Sequence, residues 1–308
     1  MALPPCPGMA ASDTQCRRDY LLEVHTTINT PPVLPRGRRV VYVGAADAKD
    51  KLCWRSNGCV DYIVHKDDAE SPAGEEPAIL TAYGLISMST FNLTPDGGYK
   101  GPTGELPCLE DVQLTAELRM SMHPDHERFM GGTSDATHNI FELMERAPNV
   151  DENFRYGSWM GVGSSLRLRH QLFEPLSRQD GDGPIIPEGD SAPGFERFTT
   201  SRWPMKYRAA ANELEDETQH SNQVIPLPAY TPAGRLIYPQ EYSAALCGAF
   251  VEATFTLKHR RFSTTDDFST FNADIVQINI IDPPASSRRR LLPPLRSSYS
   301  IAQRLKGL

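Results

Sequence analysis

A histidine, a proline and an aspartate at positions 123 to 125 form an H-x-D triplet, and His170 and Arg178 follow downstream. Two imidazoles and one carboxylate on one face of an octahedral Fe(II) leave three positions for cosubstrate and oxygen, as in iron and 2-oxoglutarate oxygenases. His123, Asp125 and His170 are therefore one candidate metal site, with Fe(II) and 2-oxoglutarate as its cofactors. The proline inside the triplet and the short gap to His170 are atypical of those enzymes. A polar turn after a strand is the simpler explanation of His123.

Other patterns that carry chemistry are weaker. A second metal set, made of His123, Asp125, His126 and His138, matches no template of ligand spacing. The sequence contains no Gly-Lys-Ser/Thr phosphate loop, no dinucleotide fingerprint and no GxSxG elbow. The six cysteines lack paired CxxC spacing, which is typical of reduced thiols. These observations favour a protein without catalytic residues and without a cofactor.

Cations and an aromatic ring gather near the end of a strand, at Lys258, Arg260, Arg261 and Phe262. Cations that follow a phosphate backbone, beside a ring on which bases stack, are what a β-barrel needs to bind single-stranded nucleic acid. The alternative is a charged strand end that keeps a long sheet edge soluble.

The C-terminal segment from Pro284 to Leu308 is basic. It holds six cations and no acidic residue, whereas the rest of the chain has 25 basic and 39 acidic residues, a net charge of −14. An acidic body with a basic tail is typical of proteins that contact nucleic acid or an acidic partner. Arg288, Arg289 and Arg290 would assist the strand cations, although a solvated, disordered end explains the same composition.

Alternation of apolar and polar residues predicts the elements that position these side chains. Between Val112 and Met122 every second residue is apolar, and within Ala249 to Phe262 the apolar Val251, Ala253, Phe255 and Leu257 alternate with polar residues. Both patterns indicate strands with one buried face. Similar patterns begin at Leu166 and Phe271, and Asn57-Gly58 predicts a hairpin turn. Helix is expected only in two short pieces, at His138 to Arg146 and at Pro239 to Leu246.

About eight strands separated by turn-rich loops indicate an all-β or β-rich fold, either a barrel or a sandwich. We expect a proline-rich arm at residues 1–36, one β-rich domain at 37–283 and a basic, disordered tail at 284–308. No run approaches the roughly 18 apolar residues that cross a bilayer, and Met1 to Gln15 lacks a signal-peptide layout. The sequence therefore predicts an intracellular protein, cytoplasmic or nuclear, with no membrane partner.

The block from Val224 to Ile281, with its segments VIPLPAY, GRLIYPQEY, GAFVEATFTLKHRRF and ADIVQINIID, resembles the C-terminal part of an uncharacterised protein family of mushroom-forming (basidiomycete) fungi. The resemblance implies a cytosolic or nuclear fungal protein and brings no activity with it. The last two strands also resemble the terminal hairpin of an OB-type barrel.

The function that these patterns favour is a non-enzymatic binding protein whose ligand is single-stranded nucleic acid. The oxygenase with His123, Asp125 and His170 is one alternative. A structural β-sandwich that self-assembles through its loops and tail is another. The sequence does not fix the oligomeric state.

Overall fold

The architecture is taken from a computed structural model. The structure describes residues 39–58, 60–69, 76–103, 106–119, 121, 123–148, 160–161, 165–176, 198–262 and 268–284. The expected proline-rich arm lies outside the described residues, and so does the basic tail beyond Pro284.

Strands dominate the described residues. In chain order they are β1 (Val40–Tyr42), β2 (Leu52–Asn57), β3 (Val60–His65), β4 (Ile79–Ile86), β5 (Gln113–Arg119), β6 (Met160–Gly161), β7 (Ser165–Gln171), β8 (Phe173–Pro175), β9 (Asn222–Val224), β10 (Ala229–Tyr230), β11 (Phe250–Phe262) and β12 (Phe268–Asp282). The β-rich fold class is confirmed, and the predicted hairpin turn at Asn57-Gly58 joins β2 to β3, with Gly58 at a φ of 64°.

Helices fill the connections. They are α1 (Glu127–Glu145), α2 (Arg208–Glu213), α3 (Gln219–Ser221) and α4 (Tyr242–Leu246), with a π turn at Leu214–Thr218 and 3-10 turns at Ala48–Asp50, Lys66–Asp68, Leu109–Asp111, Pro124–His126, Thr200–Arg202 and Pro239–Glu241. Within the described residues, none of these helices has the length and apolar character needed to cross a membrane.

Helix α1 corrects one prediction, because it begins eleven residues before the expected start at His138. The glycines at 131 and 132 lower helix propensity, so the sequence pattern indicates helix only after them. Tertiary packing outweighs that cost. Ile140 and Leu143 are buried in the main core, and the Asn139 side chain donates hydrogen bonds to the Val43 and Ala45 carbonyls.

Five strands pair in a closed ring, in the order β4, β5, β7, β12, β11 and back to β4. Four junctions are antiparallel, and the junction between β7 and β12 is parallel. Two junctions are short. The β4–β5 ladder and the β7–β12 ladder each contain two residue pairs, whereas β11 and β12 pair along almost their whole length. The ring thus contains all four strands that alternation predicted for a barrel, with β4 added.

The inside of the ring is apolar because two residues that pair across a junction point to the same side of the sheet. Leu118 lies opposite Leu166, Ala116 opposite Leu168, and Leu168 opposite Ala273. All five side chains are buried in the main core. The alternation that is visible in the sequence therefore separates the barrel interior from its outer face.

Further strands extend the ring into a mixed ten-stranded sheet, so the architecture is neither a simple barrel nor a sandwich. The β2–β3 hairpin adds to β11, β1 pairs parallel with β4, β10 pairs parallel with β12, and β6 adds to β7. Strands β8 and β9 form a separate two-stranded sheet. On one outer side, a small aromatic core of Tyr83, Phe129 and Phe250 packs α1 against β4 and β11.

Candidate nucleic-acid interface

The polar residues of the alternating pattern lie on the outer face of β5, β7 and β12. Arg167 and Arg169 of β7 point away from the interior that Leu168 enters, and their exposures are greater. Arg169 lies opposite Thr115 of β5, and Arg167 lies opposite Glu117. Two guanidinium groups are thereby held on one strand, two residues apart, on the side of the ring away from its core.

A shallow groove of about 240 Å³ crosses this face. It is lined by Gln113, Thr115, Arg167, Arg169, Phe271, Asn272 and Ala273. Three neighbouring strands, β5, β7 and β12, contribute to it. The lining therefore combines guanidinium and amide donors with hydroxyl and amide acceptors, which suits a ligand that carries phosphates and base edges.

Carboxylates hold the cations of this face in place. Arg169 Nε lies 2.5 Å from Asp274 Oδ1, and Lys258 Nζ lies 3.0 Å from Asp274 Oδ2. Arg119 Nη2 lies 2.6 Å from Glu117 Oε2. The Arg169 and Asp274 side chains are 26% and 27% exposed, so part of each group can be reached from the solvent side of the groove. A phosphate group can therefore compete with Asp274 for the Arg169 guanidinium.

The predicted cationic patch lies on the next strand of the same face. Lys258 lies opposite Asn272, a residue of the groove, and Arg260 is exposed opposite Thr270. Arg261 and Phe262 lie at the end of β11, and the structure describes their backbone pairing but not their side chains. Arg288, Arg289 and Arg290 fall outside the described residues. Of the seven predicted contact residues, the structure thus places the side chains of Lys258 and Arg260, beside the groove.

The outer face continues onto the β2–β3 hairpin. Tyr62 lies opposite Lys258 on one side and opposite Arg55 on the other, so one ring is flanked in register by two cations. The Tyr62 side chain is buried, with 8% of its surface exposed. Arg55 therefore extends the positive charge of the outer face beyond β11, onto β2.

A buried polar cluster supports the groove from below. His259 and Asp61 have no exposed surface, and His259 Nδ1 lies 2.9 Å from Asp61 Oδ2. The Ser56 hydroxyl donates to the other Asp61 oxygen at 2.5 Å. The His259 ring stacks on Phe271 with centroids 4.6 Å apart, and the Trp54 ring meets Phe271 edge-on. The rings of His259 and Trp54 therefore hold Phe271, which lines the groove, from its inner side. The contact with Asp61 holds His259 in turn.

The proposed iron ligands do not converge. His123 Nδ1 lies 3.7 Å from Asp125 Oδ2, after the end of β5. His170 lies opposite Leu114, near the start of β5, and is directed into the interior, where its Nε2 donates to the Ile225 carbonyl at 2.8 Å. Strand rise puts roughly 17 Å between those two ends of β5. Within the described ranges, no group of three His, Cys, Asp or Glu side chains is arranged to hold a metal ion.

The structure instead joins His126 to two residues that the sequence does not link to it. The Ser121 hydroxyl lies 2.6 Å from His126 Nδ1, and His126 Nε2 lies 2.8 Å from Asp282 Oδ2. All three side chains are buried, and the imidazole stacks on Phe250 at 4.1 Å. This chain of hydrogen bonds ties the start of α1 to the end of β12, and we interpret it as structural.

Sequence reasoning missed the two arginines that dominate the groove. Their signal was present, because Leu166, Leu168 and His170 alternate with Arg167 and Arg169. The sequence does not show that β7 pairs with both β5 and β12. Only this pairing places the two arginines along one side of a groove.

No protein-family model matches the sequence, and no curated protein matches it. The structure is similar to the crystal structure of gp2.5, a single-stranded DNA binding protein encoded by bacteriophage T7, with 10% identity and a TM-score of 0.31 over 67% of this chain and 92% of that chain. It is also similar to a C-terminally truncated single-stranded DNA-binding protein from bacteriophage Enc34, with 10% identity and a TM-score of 0.29 over 76% and 96%. Neither likeness is close enough to transfer a site. The fungal family resemblance stays a prediction.

Proposed function

We propose that this protein binds single-stranded nucleic acid across the outer face of β5, β7, β12 and β11. The observation that carries the proposal is the order of the strand ring. Numbered along the chain, the ring strands follow the order first, second, third, fifth, fourth, with one parallel junction between the third and the fifth. A five-stranded barrel of this kind is the OB type, which binds oligonucleotides on the face of its second and third strands.

The second and third strands of this ring are β5 and β7, and the groove lies on them. Arg167 and Arg169 would contact phosphates, while Gln113, Thr115 and Asn272 would meet sugars and base edges. Lys258 and Arg260 would continue the path onto β11. Because the body outside the tail carries a net charge of −14, a local cationic face is also what would direct an anionic ligand to this side. Such a ligand fits a protein that acts inside the cell.

The test is fluorescence anisotropy with a labelled oligo(dT) across a range of salt concentrations. The double variant Arg167→Ala/Arg169→Ala should bind at least about tenfold more weakly, because each charged hydrogen bond contributes about 1.5 to 3 kcal/mol. The slope of log K against log salt should also become shallower by about 0.7 for each phosphate contact that is lost.

A matched control removes the same charge elsewhere. Arg39 and Lys51 form exposed ion pairs with Asp67, Asp68 and Asp47, away from the groove. The variant Arg39→Ala/Lys51→Ala should keep the affinity and salt slope of the wild type within about twofold. The proposal is wrong if the wild type does not bind oligo(dT), or if the groove variant and the control lose affinity equally.

A further inference from the structure

Two cations of the groove face share one carboxylate. Arg169 and Lys258 both reach Asp274, the first with Nε at 2.5 Å from Oδ1 and the second with Nζ at 3.0 Å from Oδ2. Arg169 belongs to β7 and Lys258 to β11, and these are the two strands that flank β12 here. The carboxylate of Asp274 therefore lies between two cations that approach it from the strands on either side.

The strand register fixes this arrangement. Arg169 lies directly opposite Asp274 across the parallel β7–β12 junction. On the other side Thr256 lies opposite Asp274, and Lys258 is two positions further along β11, on the same face of the sheet. The side chains of Arg169, Asp274 and Lys258 are 26%, 27% and 40% exposed. An anion that arrives from solvent can therefore reach both cations.

The two cations are placed as a phosphate requires. Each oxygen of the Asp274 carboxylate accepts from one of them. A phosphodiester also carries two charged oxygens, so it can accept from the same guanidinium and the same ammonium. In this structure the carboxylate occupies that position. A phosphate that enters must displace it and then lies beside its negative charge, which opposes binding.

We infer that Asp274 is an autoinhibitory contact, whose carboxylate occupies the position of one phosphate of the bound strand and keeps the affinity of the groove below what its cations allow. This inference rests on the proposed function and adds the place of one phosphate, between β7 and β11. The carboxylate orients Arg169 and Lys258, and it releases them only to an anion that binds both.

The test is the affinity of Asp274→Asn for labelled oligo(dT), measured by fluorescence anisotropy across a range of salt concentrations. Asparagine has nearly the shape of aspartate without its charge. The variant should bind about tenfold more tightly, because like charges that are placed together at an interface oppose association. The slope of log K against log salt should also become steeper by about 0.7, the contribution of one more neutralised phosphate on a single strand.

A matched control makes the same substitution elsewhere. Asp67 is 82% exposed and pairs with Arg39, away from the groove. Asp67→Asn should keep the affinity of the wild type within about twofold, because solvent and salt screen a distant charge.

A double-mutant cycle separates a local competitor from a general change of charge. In the Arg169→Ala/Lys258→Ala background no cation pair draws a phosphate to Asp274. Adding Asp274→Asn there should change the affinity at low salt by less than about twofold. Asp274→Ser removes the same carboxylate with a smaller side chain and should tighten binding in the wild-type background, as Asp274→Asn does. Circular dichroism checks that each variant is folded.

The outcomes separate the two proposals. Tighter binding by Asp274→Asn that disappears in the Arg169→Ala/Lys258→Ala background supports the autoinhibitory contact. If the wild type binds and neither folded variant of Asp274 binds more tightly, or if the gain is the same in both backgrounds, this inference is wrong and the groove stands. If neither the wild type nor Asp274→Asn binds oligo(dT), the proposed function fails, and the autoinhibitory contact fails with it.

Discussion

At the scale of single residues, the three histidines that are buried among the described residues differ in what they contact. His126 and His259 each lie against a carboxylate, those of Asp282 and Asp61. His170 instead donates to a backbone carbonyl inside the barrel. Burial lowers the pKa of His170, and the hydrogen bond to Ile225 and the nearby Asp274 charge oppose that shift. The interior of the ring therefore favours the neutral imidazole, which is the reverse of what an exposed phosphate-binding histidine would need.

The lowered pKa of His170 makes stability depend on pH with a defined sign. In the unfolded chain the imidazole titrates near its ordinary value of about 6.5, whereas in the folded protein it stays neutral to lower pH. The unfolded state then binds more protons, so the free energy of unfolding falls as the pH drops below about 6.5. His170→Gln keeps a side-chain donor and should flatten this fall, as measured by urea unfolding at several pH values.

His138 offers the control for that measurement. Its side chain is 67% exposed and pairs with Glu142 on the surface of α1. His138→Gln should leave the pH dependence of unfolding close to that of the wild type. Equal pH dependence in the wild type and in His170→Gln would show that burial of this imidazole contributes nothing.

At the scale of elements, closure of the ring depends on two short junctions. The β4–β5 junction pairs only Leu85 with Arg119 and Ile86 with Leu118. Gly84 permits it, since a Cβ atom at Gly84 would lie 2.7 Å from Leu118 Cγ and 2.9 Å from the Arg119 carbonyl oxygen. The glycine is needed here for space, because β5 crosses directly over it.

Substituting Gly84 should therefore weaken the ring. Gly84→Ala forces β5 away from β4, and we expect it to lower the free energy of unfolding by about 1 to 3 kcal/mol, as overpacking does elsewhere. Denaturant unfolding measures this as a lower midpoint. In a Leu118→Ala background the same substitution should cost less, because part of the clash is gone. Additive costs in that double-mutant cycle would contradict the close approach.

The sequence predicts elements better than it predicts their arrangement. Two-residue alternation locates β5, β7, β11 and β12, because each has one face inside the ring. It does not reveal that β7 and β12, about a hundred positions apart, pair in parallel, since such a pairing depends on everything folded between them. The length of α1 was missed for the opposite reason, because local glycines hide a helix that tertiary contacts stabilise.

The candidate site shows the same contrast between local patterns, which the sequence reveals, and pairings of distant residues, which it does not. Lys258 and Arg260 are visible as a local run of cations at the end of a strand. Arg167 and Arg169 are spaced by two in a strand, as many surface arginines are, and only their register with Thr115 and Asp274 makes them part of a groove.

At the scale of the whole molecule, the two sides of the ring differ. On one side, α1 covers β4 and β11 through the aromatic contacts of Phe129 with Tyr83 and Phe250. On the other side, β5, β7 and β12 present the groove, and the cations of β11 border it. An oligonucleotide should therefore contact one side of the molecule only, and the helix-covered side should stay free of it.

The central claim is tested most directly by mapping where an oligonucleotide touches the protein. Oligo(dT) that carries 4-thiothymidine is bound, irradiated and digested, and the crosslinked peptides are identified by mass spectrometry. The account predicts crosslinks to peptides that contain β5, β7 and the β11–β12 hairpin. Unlabelled oligo(dT) should compete with these crosslinks. Crosslinks confined to α1 or to the tail beyond Pro284, with none on β5 or β7, would contradict it.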